Sequence, residues 1–185
     1  MTVHGAAHHP PYAELHRFGL RLFIASEAFL FGVLFAARFY LLGFERAEAV
    51  NVTLGVVLTI ILLTATWSSH RAAAAARAGD RGAMQGQLLL TMALGVLFLA
   101  LVVVEWSAGF REFPISTPYG SIFYLITGTH SLHLLIGLFV LASLFLQARR
   151  GRLGEGDVWK VEGGVAYWQF VDVVWLFVFT ILYVL

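Results

Sequence analysis

The sequence predicts an all-α integral membrane protein, a bundle of five transmembrane helices. Two observations lead to this fold class. Of the 185 residues, 59% are hydrophobic and only 12% are charged, whereas a soluble domain carries about 25% charged residues. In addition, five separate runs are apolar over about 20 residues or more, the length that a helix needs to cross about 30 Å of hydrocarbon.

The five runs follow one another along the chain. The first, 20–42, reads LRLFIASEAFLFGVLFAARFYLL and is interrupted near its middle by a glutamate. The second, 50–69, is rich in Val, Leu and Thr, and it ends before the basic stretch RAAAAARAGDRG. The third, 86–106, ends in the dipeptide EW. The fourth, 119–147, is the longest and contains GTHSLHLLIG, and the fifth, 165–185, contains a single aspartate. Each run is predicted to form one membrane-spanning helix.

The connections between these spans are short, which predicts a single domain. We assign residues 1–17 to a polar N-terminal leader and residues 18–185 to one five-helix transmembrane domain. No internal repeat or low-complexity tract divides the chain.

The distribution of basic residues predicts the orientation in the membrane. An excess of Lys and Arg marks the cytoplasmic side of a membrane protein. A path of five spans places nine of these residues on one side: Arg17, Arg21, Arg71, Arg77, Arg81, Arg149, Arg150, Arg152 and Lys160. We therefore expect a cytoplasmic N-terminus and a periplasmic C-terminus.

Composition also excludes several classes of function. The chain has no cysteine, which rules out disulfides, iron–sulfur clusters and thiolate metal sites. The formal net charge is only +1, so the chain lacks the basic face that nucleic-acid binding requires.

Five ionisable side chains fall deep inside the predicted spans. A charge at the middle of a membrane helix costs about 2.5–3.5 kcal/mol on insertion scales, so each of these side chains should face protein or water. His130 and His133 are three residues apart and lie near one face of the fourth span. We hypothesise a His–Asp contact between spans four and five and a second polar contact toward the first span. The five residues are Glu27, Glu105, His130, His133 and Asp172.

Three interpretations of these residues are open. A haem or metal centre in a helical bundle takes its ligands from facing helices, but both histidines lie on one turn of one helix and no other span offers a third. We therefore predict neither a metal site nor a cofactor in this chain. A proton relay through Glu27 is an alternative. Residue type and spacing favour structural polar contacts between helices.

Three motifs, in order, resemble those of a known family. The stretches FIASEAFLFGVLFAARF, EWSAGFREFPISTPYGSIFYLITGTHSLHLLIG and AYWQFVDVVWLFVFTILYV are similar to subunit III of the haem–copper respiratory oxidases, which act on cytochrome c or quinol. The resemblance runs from Phe18 to Leu185 and matches the short bacterial form, which lacks the first two of seven spans. Gln169 stands where the family commonly has His, so no role of that imidazole is carried over.

The resemblance implies a subunit without a redox centre of its own. Haems and copper are expected in partner subunits I and II, with subunit I as the main contact and a small subunit IV as a further partner. The family subunit stabilises subunit I, holds phospholipid in a cleft between its helices and supports proton uptake. By position, Glu27 corresponds to the family's reactive buried carboxylate, and His130 and His133 correspond to its paired histidines.

The resemblance also implies a place in the cell and a lipid contact. We expect a multi-pass protein of the bacterial inner membrane, within an aerobic respiratory chain. His70 and Arg71 lie near the cytoplasmic edge of the second span and are candidates for contact with lipid headgroups, because both can meet phosphate.

Two other functions compete with this interpretation. One is a homologous accessory membrane subunit of a nitric oxide reductase system, which the large subunit that co-purifies with the chain would reveal. The other is a free-standing proton transporter, which would require inverted repeats and broken helices that the sequence does not display. The choice between cytochrome c and quinol as electron donor depends on the other subunits.

Overall fold

The computed structural model describes residues 11–44 and 50–185, and within these ranges it confirms five long helices. They are α1 (Pro11–Leu42), α2 (Val52–Arg77), α3 (Arg81–Glu112), α4 (Pro118–Arg149) and α5 (Val158–Phe179). A short 3-10 turn, Glu155–Asp157, precedes α5, and a π-helical turn, Thr180–Val184, continues it. All five helices are long and apolar enough to cross a membrane.

The helices run past the apolar runs from which they were predicted. Helix α1 begins at Pro11, inside the predicted leader, and residues 1–10 lie outside the described part of the chain. Helix α5 begins at Val158, seven residues before the predicted span. Hydropathy marks only the segment suited to hydrocarbon, whereas backbone hydrogen bonding continues into the interfacial turns.

Polar side chains cap three of the helices. Asn51, Asp80 and Thr117 precede α2, α3 and α4, and each side chain accepts a hydrogen bond from a backbone N–H of the first turn. Such caps satisfy donors that the helix itself leaves free. Gly79 and Gly151, which follow α2 and α4, have φ angles of +73° and +67°, a conformation that glycine adopts without strain.

Helix α5 lies at the centre of the bundle, and α1 lies at its edge. Helix α2 packs against α3 and α5, α4 packs against α3 and α5, and α1 contacts α4 and α5. In their most apolar stretches, 56% of the α5 residues are buried in the chain but only 6% of the α1 residues. Most of the α1 surface is thus left for lipid or for another protein.

Two tryptophans of α5 fill the core. Trp168 and Trp175 are 0% and 1% exposed. Gly95 of α3 and Gly137 of α4 make room for the Trp168 ring, since an added Cβ would lie 2.6 Å and 3.1 Å from it, respectively. These small residues let three helices approach closely around one large side chain.

The predicted basic residues gather at one end of the bundle, which we call the basic face. It comprises the start of α1, the turn between α2 and α3, and the segment between α4 and α5. Glu162 of α5 joins these elements, because its carboxylate accepts from Arg17 of α1 and Arg77 of α2, both at 3.2 Å.

Candidate functional site

Glu27 and His133 form a hydrogen-bonded pair between α1 and α4. The Nε2 atom of His133 lies 2.7 Å from Oε2 of Glu27. Glu27 sits at the middle of α1, so the pair lies near the middle of the membrane-spanning segment. The polar contact expected between the fourth and first spans is therefore formed.

The second nitrogen of His133 determines the tautomer. Its Nδ1 atom lies 2.7 Å from the carbonyl oxygen of Thr129. A carbonyl oxygen only accepts, so Nδ1 carries a hydrogen and donates. The contact between Nε2 and Glu27 then holds one proton, either on the carboxyl or on the imidazole. Both arrangements have zero net charge, which keeps the cost of placing the pair at membrane depth low.

Aromatic side chains enclose the imidazole. The ring of Phe31 meets His133 edge-on, with centroids 5.0 Å apart, and the hydroxyl of Tyr167 donates to the His133 carbonyl oxygen at 3.2 Å. The His133 and Glu27 side chains remain 9% and 19% exposed, respectively. The pair therefore lies at the boundary of the chain, where lipid, water or a partner subunit can reach the carboxyl.

A groove of about 590 Å³ runs between α1, α4 and α5 from the basic face toward this pair. Arg17 and Arg21 lie at its mouth, Ile24 and Ile136 form part of its apolar wall, and Tyr167 lies at its inner end. A cationic mouth above an apolar cleft fits an amphiphile with an anionic head. Because Tyr167 also contacts His133, an occupant of the groove would end beside the pair.

His130 has surroundings different from those of His133. It is fully buried, and neither ring nitrogen has a hydrogen-bond partner among the described residues. Its ring contacts Phe98 of α3 and Trp175 of α5, with centroid distances of 5.8 Å and 5.2 Å. His130 is therefore packed in the aromatic core, whereas His133 faces α1.

Asp172 contacts α2 instead of the histidines. Its Oδ2 atom lies 2.6 Å from the hydroxyl oxygen of Thr66. The hypothesised contact between Asp172 and the histidine motif is thus replaced by a contact with a threonine, because this position of α5 faces α2. Glu105, the remaining carboxyl at depth, accepts from the hydroxyl of Tyr183 at 2.7 Å.

His70 and Arg71 lie near the basic face, away from the groove. The amide of Gln169 donates to Nδ1 of His70 at 3.1 Å. Gln169, which stands where the resembled family commonly has His, therefore contacts the imidazole of a different residue. The Arg71 guanidinium lies 4.9 Å above the Trp67 ring. Contact of His70 and Arg71 with lipid headgroups stays a prediction.

Among residues 11–44 and 50–185, no group of three or more His, Asp or Glu side chains is arranged as a metal site.

Three residues contribute to these contacts although the sequence did not single them out as site residues: Thr66, Tyr167 and Glu162. Threonine and tyrosine are common in membrane helices, and nothing in their spacing distinguishes these two. Glu162 was detectable as an acidic residue at the end of a span in a basic segment, but its two arginine partners are 145 and 85 residues away in the chain.

The comparisons with known proteins all indicate the same family. The family described as Cytochrome c oxidase subunit III matches residues 1–185. Cytochrome c oxidase subunit 3 of Synechocystis sp. is 32% identical over 98% of this chain and 81% of its own length. The subunit of the same name from Bacillus subtilis is 33% identical over 90% of the chain and 84% of its length. The probable quinol oxidase subunit 3 of Staphylococcus aureus is 29% identical over 93% and 90%, respectively.

Proposed function

The chain belongs to the cytochrome c oxidase subunit III family, and from that premise we propose that it is the non-catalytic subunit III of a terminal haem–copper oxidase that reduces oxygen to water and pumps protons. Family membership makes it a multi-pass membrane protein and one subunit of a multi-subunit oxidase. The observation that carries the proposed role is the Glu27–His133 pair at the inner end of a cationic groove.

The first part of the proposed role is to stabilise subunit I. The sparsely buried surface of α1, with 6% of its most apolar residues buried, supports a further contact in the membrane. Subunit II and a small subunit IV complete the proposed assembly. In this proposal the haems and copper belong to subunits I and II.

The second part is to hold phospholipid. In the groove, Arg17 and Arg21 are placed to meet a phosphate, while Leu20, Ile24 and Ile136 line the path of an acyl chain. Arg77 shares Glu162 with Arg17, whereas Arg21 forms no salt bridge among the described residues and offers its charge to a headgroup. His70 and Arg71 form a second, separate candidate contact.

The third part is to support proton uptake. The Glu27–His133 contact holds one proton that can sit on either residue, and Glu27 is partly exposed at the edge of the chain. The proton can therefore move between the two residues without a change in the net charge of the pair. The proposed side of uptake is the basic face, which we assign to the cytoplasm of a bacterial plasma membrane.

Purification in a mild detergent tests the assignment. We expect haem- and copper-bearing subunits to co-purify with this chain and the complex to consume oxygen with a reduced cytochrome c or a quinol as donor. Recovery of a colourless homo-oligomer with transport activity would refute the proposal. A co-purifying large subunit that reduces nitric oxide instead of oxygen would establish the alternative accessory role.

A further inference from the structure

A row of polar pairs follows the contact between α2 and α5. Successive pairs lie about one or two turns apart on each helix. The two helices are antiparallel, so the residue numbers decrease along α2 while they increase along α5. Starting from the basic face, the pairs are Arg77–Glu162 at 3.2 Å, His70–Gln169 at 3.1 Å, Thr66–Asp172 at 2.6 Å and Thr59–Trp175 at 3.0 Å. We call this row the α2–α5 seam. It reaches Asp172, which lies fourteen residues after the start of α5, or about 21 Å along the helix.

Hydrogen-bond counting at Thr66 supports a protonated Asp172. The Thr66 hydroxyl oxygen lies 2.6 Å from Oδ2 of Asp172 and 3.0 Å from the carbonyl oxygen of Leu62. A hydroxyl has one hydrogen to donate and a carbonyl oxygen has none. Both contacts are satisfied together when Thr66 donates to Leu62 and a protonated Asp172 donates to Thr66.

Asp172 also retains unused hydrogen-bonding capacity. The residue is 5% exposed, and its Oδ1 atom has no partner among the described residues. The indole N–H of Trp168, one turn earlier on α5, interacts with the Asp172 carboxyl but makes no hydrogen bond of good geometry. Leaving such a buried group unpaired costs about 1–3 kcal/mol.

His70 is suited to exchange protons with the solvent. It is exposed near the basic face, and an imidazole can accept a proton at one ring nitrogen and donate one from the other. Thr66 is four residues from His70 and therefore on the same face of α2. Gln169 can pair with either tautomer of His70, because its amide can turn to present either its N–H or its oxygen.

We propose that the α2–α5 seam is a proton-access path that connects the basic face with the carboxyl of Asp172 through His70 and the Thr66 hydroxyl, with water between the pairs. During exchange, one proton enters the carboxyl and the resident proton leaves by the same path, so no net charge accumulates. The path is separate from the Glu27–His133 pair, which lies between α1 and α4. It does not depend on the proposed oxidase role.

Infrared spectroscopy of hydrogen–deuterium exchange tests the path in the full chain, purified with its native partners. The carbonyl stretch of the protonated Asp172 carboxyl is identified as the band that Asp172→Asn removes, and its shift is followed after transfer to D₂O. We expect Thr66→Val to slow this shift about tenfold, which corresponds to about 1.4 kcal/mol in the barrier. His70→Phe should also slow it, by about threefold or more.

Thr64→Val is the matched control. Thr64 lies two residues away at nearly the same depth, is exposed on the outer surface of α2, and bonds only to its own helix, at the Ile60 carbonyl. We expect exchange within about twofold of the parent rate for this variant. Thr66→Ser, which restores the hydroxyl, should recover the parent rate.

Three results would overturn the proposal: no protonated carboxyl band that depends on Asp172, exchange that is unaffected by both Thr66→Val and His70→Phe, or equal slowing by Thr64→Val. If Thr66→Val fails to assemble, the exchange rate of His70→Phe is compared with that of Thr64→Val, and equal rates would overturn the proposal.

Discussion

Replacing Glu27 with Gln separates the structural from the protonic contribution of the Glu27–His133 pair. In the parent, His133 donates from Nδ1 to Thr129, so Nε2 faces the carboxyl across 2.7 Å. A glutamine amide N–H can donate to the same Nε2 atom, but the amide cannot exchange a proton with it. We therefore expect assembly to be preserved while the rate of proton uptake, or the active lifetime of the oxidase, falls.

A second variant gives an upper limit to the free energy of unfolding that is lost with the Glu27–His133 contact. Glu27→Leu leaves Nε2 of His133 without a partner, which costs about 1–3 kcal/mol when the group is buried. Because the Glu27 side chain is 19% exposed, water can partly replace the lost contact and the lower half of that range applies. For a chain of this size, about 1 kcal/mol corresponds to about 2–4 °C in the midpoint of thermal unfolding. Glu27→Gln should stay close to the parent midpoint.

The assay compares the parent and both variants in the purified complex. Thermal midpoints are followed by the helical circular-dichroism signal, and oxygen uptake is recorded through prolonged turnover. We expect Glu27→Gln to match the parent in midpoint and to lose activity sooner or pump more slowly. Unchanged turnover and durability in Glu27→Gln would refute a protonic role and leave the pair with a packing role alone.

Three further predictions concern other parts of the chain. Gly95→Ala should lower the midpoint of thermal unfolding, because the added Cβ would lie 2.6 Å from the Trp168 ring and overpacking costs about 1–3 kcal/mol. Gly86→Ala is the control: its Cβ would meet nothing within 4 Å, so its midpoint should match that of the parent. Arg21→Gln should reduce the anionic phospholipid that co-purifies, measured by mass spectrometry of extracted lipid; an unchanged content would argue against the groove. The hydrogen bond from Lys160 lowers the pKa of Asp157 below its ordinary value. Asp157 therefore adds stability above the ordinary carboxyl pKa and loses it as pH falls through the lowered pKa. Thermal midpoints measured between about pH 5 and pH 3 should show a shallower acid-side decline in Lys160→Ala.

Much of the architecture follows from properties that are local in sequence. The length and apolarity of each run determine whether a helix can span hydrocarbon, and these need no knowledge of neighbours. The sequence also shows that Glu27, His133 and Asp172 need polar partners. The free-energy cost of a charge in the membrane depends on the position of the residue along its own span, which the sequence gives. For this reason the five helices and the buried polar set were predictable.

The partners of those side chains depend on the packed bundle. His130 and His133 are three residues apart, which is about 300° of helix rotation, so their side chains differ in direction by about 60°. That difference turns His133 to Glu27 on α1 and His130 into the aromatic core. No sequence pattern encodes which neighbouring helix lies in each direction.

The groove and the α2–α5 seam likewise exist only in the tertiary structure. Asp172 meets Thr66 across 106 residues of chain, and Glu162 meets Arg17 across 145. The sequence by itself determined the helices, the buried polar residues and the family. Packing decided which of these residues touch, because helix directions and rotations are set by close contacts such as those of Gly95 and Gly137 with Trp168.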